Sequence, residues 1–509
     1  MSSQLRALAA GVLCVGFQDA ELTDETESVL HALQPGAVIL FARHTASFAQ
    51  TRALTDRLRS LLGDRLPPVI AVDQEGGRVA RLREGVDEFP AMMALRATGD
   101  SALARRAGER IALDLRRAGF NLNFGPVLDL ALHQHNTVIG TRSFGDDPLK
   151  VAEFAGAFAA GVEAAGVVPT YKHFPGHGST AIDSHLALPH IDIDEAQLRQ
   201  RDLVPFAALL PAARAVMTAH IVVKAFDAVN PATTSYAILT ELLRRELNFT
   251  GVCFTDCMHM NAISKGVGTP QGAVQALAAG ADCVSITQHL SVSLQAVDHI
   301  VRAVERKELP LVRLEEAADR MRTLRAALQP PLDAARAQPA MGLQIARRAF
   351  TLLRGGLELG GSPIRIVSFQ GLTVEGAAGK RTDHASLADA LGRRGLPVIA
   401  HDLSLEPSIE DVHAVIADLA AHEAPVVILM RRAHIYAQQA RAIHALLRAF
   451  PNALLISMRE PFDVQLFPQA AHVACAYDDE DVTIDALADI LVSGERASGT
   501  APVRLNAAD

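Results

Sequence analysis

The chain has 509 residues, 49% hydrophobic and 21% charged, with a net charge of -9 spread without long runs. That length exceeds one ordinary domain, so two or three are expected. No basic patch suggests a nucleic-acid partner, no polybasic segment suggests an anionic membrane surface, and no apolar run reaches the length of a membrane span.

From the N-terminus, residues 5–17 are apolar and could imitate a secretory signal. Arg6 is the only basic residue near its start and no small-residue cleavage site follows, so the segment reads as a first strand. Short apolar, β-branched runs then recur at 13–17, 37–41, 69–72, 121–127, 167–171, 215–218, 252–255 and 283–286. Helix-period segments lie between them, as at 46–62, 101–118, 150–165 and 236–247. Alternating strands and helices predict parallel β-structure with crossover helices, and eight such units fit an N-terminal (β/α)8 TIM-like barrel. A doubly wound open sheet fits the count less well.

After about residue 330 the texture changes. Gln329-Pro330-Pro331 and paired glycines at 355–356 and 360–361 punctuate the chain. Apolar runs at 364–367, 398–399, 426–430 and 454–457 alternate with helical stretches. The expectation is a barrel over 1–330, a linker over 331–350 and a smaller C-terminal α/β sandwich domain over 351–509. No G-x-G-x-x-G follows a strand, so no dinucleotide site is implied. The five cysteines form no zinc-finger spacing, and four lie in apolar runs; they read as reduced core residues of a cytoplasmic protein.

The polar residues fall in a telling place. Asp73 ends the third run, Asp129 follows the fourth, Lys172-His173 end the fifth, His220 ends the sixth and Asp256 ends the seventh. Barrel active sites lie at the C-terminal ends of strands. The densest stretch is K-H-F-P-G-H-G-S-T-A-I-D-S-H at 172–185, a Gly/Pro loop crowded with titratable groups after an apolar strand.

These residues resemble glycoside hydrolase family 3, in its β-N-acetylglucosaminidase (β-hexosaminidase) branch. The resemblance rests on D-Q-E-G-G-R-V at 73–79, N-F-G-P-V-L-D at 123–129, I-G-T-R-S-F-G at 139–145, K-H-F-P-G-H-G at 172–178, D-S-H at 183–185 and F-T-D at 254–256. The P-G-H-G and D-S-H extension is similar to the acetylglucosaminidase branch rather than to the β-glucosidases. A weaker similarity covers the second domain, ending in G-E-R-A-S-G-T-A-P-V at 494–503.

The resemblance implies a cofactor-free retaining hydrolase. Asp256 would be the nucleophile that forms a glycosyl-enzyme, and His185, assisted by Asp183, the proton carrier. Asp73, Arg81, Arg142, Lys172 and His173 would hold one sugar. Its substrates would be terminal N-acetylglucosamine on cell-wall muropeptides, in peptidoglycan recycling, or on chitin-derived glycans. Cys257 departs from the acidic or small residue that many relatives carry after the nucleophile. Arg78 could form an ion pair with Glu75 or Asp73, and His177 could brace its loop. With no Trp and 5% aromatics, platforms for a long glycan groove are scarce, which suits a short pocket.

Two rivals use the same residues. A histidine does not repel a phosphate dianion as a carboxylate would, so a phosphorylase is the closest alternative. A zinc hydrolase could use His173, His177, Asp183 and His185, but the spacing of these four lacks an H-x-H or H-E-x-x-H pattern. A non-catalytic sugar-binding protein is the third reading.

Overall fold

The computed structural model describes residues 2–63, 66–180, 188–264, 266–333, 340–356, 363–370 and 386–505. All eight apolar runs of the first part form parallel strands. These are β1 (Leu13–Val15), β2 (Ala37–Leu40), β3 (Val69–Val72), β4 (Leu122–Asn123), β5 (in two pieces, Val168–Pro169 and Tyr171–Phe174), β6 (Ala215–Thr218), β7 (Val252–Phe254) and β8 (Val284–Ile286). β8 returns to β1, with Val284 opposite Leu13, and a parallel bridge from Phe254 to Cys283 joins β7 to β8. The ring is therefore closed.

Strand alternation explains the two layers of core. Cys14, Ile39, Ala71, Leu122, Met217 and Phe254 fill the barrel interior. Leu13, Val38, Ile70, Val216 and Val284 face the helices instead. Met321 and Leu324, on helix Leu311–Ala326, join the interior cluster.

The expected helices form with side-chain caps where the sequence offers them. Ser47 caps Phe48–Leu62, Asp100 caps Ser101–Arg117 and Asp147 caps Pro148–Ala164, each accepting backbone N–H bonds. The 236–247 segment forms helix Ala237–Glu246. One expectation fails: residues 5–17 are not a single strand. Helix Ser2–Gly11 comes first, burying Leu5, Ala9 and Ala10, and only Leu13–Val15 is extended.

A second α/β unit follows. Its strands are β9 (Thr351–Arg354), β10 (Ile364–Gln370), β11 (Val398–Ser404), β12 (Val426–Met430), β13 (Leu454–Ser457) and β14 (His472–Cys475). They order β9-β14-β13-β12-β10-β11, all parallel except β9 against β14. Helices Ile409–Ala420 and Ala437–Ala449 cover one face, and Leu387–Arg393 and Asp481–Ser493 the other. Helix Met341–Ala349 lies in the stretch expected as a linker. The protein is thus a TIM-like barrel followed by an α/β sandwich. The two share core: Met93, Ala94, Ala97 and Ala131 of the barrel join the cluster under the second sheet. Among the described residues no helix is long and apolar enough to cross a membrane.

Candidate active site

A cavity of about 190 Å³ opens at the C-terminal ends of the barrel strands. Asp73, Arg81, Arg142, Lys172, His173 and Asp256 all line it. Six of the eight residues singled out from sequence therefore converge on one space. The other two, Asp183 and His185, lie outside the described residues.

Glu75, three residues beyond β3, organises the cationic wall. It is 1% exposed. Arg142 grips it with two hydrogen bonds, Nε to Oε2 and Nη2 to Oε1, both 2.8 Å. Lys172 Nζ lies 2.6 Å from Oε1 and also donates to Asp73 Oδ1 at 3.0 Å. Burial disfavours ionisation of Glu75, but Arg142 and Lys172 outweigh it and hold the carboxyl well below its ordinary range. Arg81 reaches Asp73 more loosely, at 3.7 Å. Lys172 and His173 sit inside β5 rather than after it, because the strand resumes at Tyr171.

A second buried carboxylate sets the opposite wall. Asp129 accepts from His173 Nδ1 at 2.6 Å and from the His177 backbone N–H at 2.7 Å. Burial again opposes its charge, and the two histidines more than offset this, so its pKa is lowered. With Nδ1 fixed on Asp129, His173 keeps Nε2 for the cavity side. His177 also lines the cavity, and neither of its ring nitrogens has a partner among the described residues. Burial, with smaller electrostatic contributions around it, pushes its pKa down to about 4, so it is neutral near pH 7. The preceding Gly176 adopts φ +125°, a conformation that disfavours other residues.

Asp256 follows β7 and accepts the N–H of Cys257 on Oδ1 at 2.6 Å. His220 Nε2 donates to the Cys257 carbonyl at 3.0 Å, tying this turn to β6. The Cys257 thiol meets the Thr287 hydroxyl at 2.9 Å, and burial raises its pKa, so a neutral thiol stands beside the aspartate. Ile39, Phe41, Phe124, Met217 and Met260 supply an apolar wall.

Sequence reasoning gave no site role to five contributors. Glu75 lies within D-Q-E-G-G-R, and its position in the motif was the available signal. Asp129 was noticed at a strand end without a role. Ser285, Thr287 and Gln288 at the end of β8 also line the cavity, and the strand-end rule would have found them. Arg78 also has neighbours in the second domain. It is half-buried, with its pKa lowered to about 9 by desolvation and by Arg459 and Arg432, and it lies near Asp479 and Glu460 of the second domain. No group of three or more His, Cys, Asp or Glu side chains among the described residues is arranged to hold a metal, and two members of the zinc set lie outside them.

A closed barrel with carboxylates and hydrogen-bond donors gathered around a small cavity is suited to holding one polyhydroxylated ring and working on a bond at its edge. The protein is a glycoside hydrolase. A family model described as the glycosyl hydrolase family 3 N-terminal domain matches residues 3–324, and the chain belongs to that family.

A β-hexosaminidase of Pseudomonas aeruginosa is 42% identical over 53% of this chain and 81% of its own length. One from Alkalilimnicola ehrlichii is 39% identical over 60% of this chain and 88% of its own. A solved glycoside hydrolase family 3 β-N-acetylglucosaminidase from Paenibacillus sp. FPU-7 superposes over 99% of both chains, with 33% identity and a TM-score of 0.92. A β-glucoside phosphorylase shares the fold at 19% identity and a TM-score of 0.80.

Proposed function

We propose that the protein is an exo-acting β-N-acetylglucosaminidase that removes one terminal sugar with retention of configuration. The convergence of Asp256 with Asp73, Arg81, Arg142, Lys172 and His173 on one cavity carries this reading. At about 190 Å³ the space lies below the range of drug-sized pockets, which suits a single ring rather than an oligosaccharide. The names of the two β-hexosaminidases and of the Paenibacillus enzyme support the acetamido sugar as substrate.

In this reading the catalytic unit is residues 1–330. Asp256 attacks the anomeric carbon while a proton passes to the leaving oxygen, and water then releases the sugar from the glycosyl-enzyme. His185 gives and takes the proton, with Asp183 orienting it. Asp73 accepts from ring hydroxyls; Arg81, Arg142, Lys172 and His173 donate to hydroxyls and to the acetamido carbonyl. The natural substrates are muropeptide fragments in peptidoglycan recycling, or chitin-derived glycans. All five cysteines are free, which supports a cytoplasmic setting.

The test is p-nitrophenol release from its N-acetyl-β-glucosaminide, with and without phosphate, beside the plain β-glucoside. Acetamido-selective release without phosphate is expected. Strong acceleration by phosphate, with sugar 1-phosphate as product, would replace hydrolysis by phosphorolysis. Asp256→Ala is expected to cut turnover by at least about 10³-fold with the fold intact; full activity would overturn the assignment.

A further inference from the structure

Arg142 enters the cavity from a tight turn, Gly140–Arg142, and the barrel seats only part of it. On the barrel side, Arg142 Nη1 donates to Val138 O at 3.0 Å and Ser143 Oγ to Asp129 O at 2.6 Å. Glu75 of the barrel grips the Arg142 guanidinium with two more bonds, and Ala131 N donates to Gly145 O at 2.8 Å. A further set of contacts on the turn comes from residues hundreds of positions later. Glu460 is 2% exposed and held by Arg432 through Nε to Oε2, 3.0 Å, and Nη2 to Oε1, 2.8 Å. Its carboxylate lies directly against Gly140, where φ is +44° and a Cβ would overlap Oε1. Arg432 Nη2 also donates to Thr137 O at 3.1 Å. His434 presents both ring nitrogens to acceptors, Asp463 Oδ1 at 2.6 Å and Gln134 O at 2.9 Å. At the far end of the turn, Asp146 N donates to Pro502 O at 3.3 Å, Gly145 packs on Pro502, and Arg504 N donates to Asp146 Oδ2 at 2.8 Å.

None of these second-domain groups lines the cavity. A buried ion pair is a weak source of net stability, but it fixes geometry, because each partner is costly to leave alone. We propose that the second domain is a clamp on the 134–146 segment, with Glu460 and Arg432 as positioning residues that hold Arg142 where it binds the sugar. This rests on the reading of Arg142 as a sugar-binding group. The same segment reaches the other wall, since Asn136 Nδ2 donates to the His177 carbonyl at 2.8 Å.

The test uses the full chain and the p-nitrophenyl N-acetyl-β-glucosaminide. Glu460→Gln and Arg432→Met are expected to raise KM about tenfold with kcat changed less than about threefold, the pattern of lost uniform binding. Arg432→Lys should recover part of the loss. The double variant Arg142→Lys/Glu460→Gln should be no worse than Arg142→Lys alone, because the second change acts through the first. Amide hydrogen exchange of residues 140–146 should quicken in Glu460→Gln. Asp146→Ala, at the other end of the turn, serves if the buried variants do not fold.

An unchanged KM in the clamp variants where Arg142→Lys raises it, additive losses in the double variant, or unaltered exchange in the turn would overturn the clamp. If Arg142→Lys leaves KM unchanged while exchange quickens in Glu460→Gln, the clamp stands and the sugar-binding reading of Arg142 fails.

Discussion

Lys172 and Arg142 are two cations sharing one wall, and without Glu75 they would repel each other in a space that excludes water. Glu75 accepts from both, so its loss would strand the buried Arg142 guanidinium and leave Lys172 with Asp73 alone. Glu75→Gln is expected to lower kcat/KM at least tenfold and to cost about 3 kcal/mol of stability, the scale of breaking a buried pair from one side. Steady-state kinetics and a denaturant melt on one preparation measure both.

Two buried histidines carry a pH signature. Burial, the largest cause for each, brings His44 and His177 down to about 4. The unfolded chain binds these protons near pH 6.5, so between that pH and 4 it holds more protons than the folded one. Stability should therefore rise with pH through that window and fall as the solution is acidified from 7 to 5. His177→Asn should flatten the slope, which denaturant midpoints at several pH values would detect. The motif residues reached the cavity because strand-end position is written in the chain. Glu75 and Asp129 were harder to assign, because a buried carboxylate and a solvated one look alike until their partners are known.

At the scale of elements, the eight barrel strands were legible because parallel strands buried on both faces read as plain apolar runs. The first helix was not, because Leu5, Ala9 and Ala10 merge into the apolar stretch of β1 and hide its period. Close helix packing was equally invisible. Helices Ser101–Arg117 and Pro148–Ala164 approach through Gly108 beneath the Phe158 carbonyl and Gly161 beneath the Arg105 carbonyl. A side chain at 161 would push the helices apart. Gly161→Ala is expected to cost roughly 2 kcal/mol, read as a lower denaturant midpoint at unchanged slope. KM should not change, since neither helix contributes a residue to the cavity.

At the scale of the whole molecule, the change in texture near residue 330 announced a second unit but not how closely it is joined to the first. That depends on contacts with no local pattern, such as Arg83 to Glu480 at 3.0 Å and Thr500 N to Ala97 O at 2.8 Å. With one apolar cluster spanning both units, calorimetry of the full chain is expected to show a single transition. Two well-separated transitions would mean that the barrel and the sandwich melt independently.

The contact between Arg504 and Asp146 spans 358 residues of sequence. On the ribosome the barrel's catalytic residues emerge long before the groups that seat the Arg142 turn. Nascent chains that stop short of residue 504 would therefore lack part of the seat of that turn and bind sugar weakly. Full affinity would arrive late in synthesis, so a truncated transcript would yield an enzyme of weakened sugar binding rather than a smaller one of full strength.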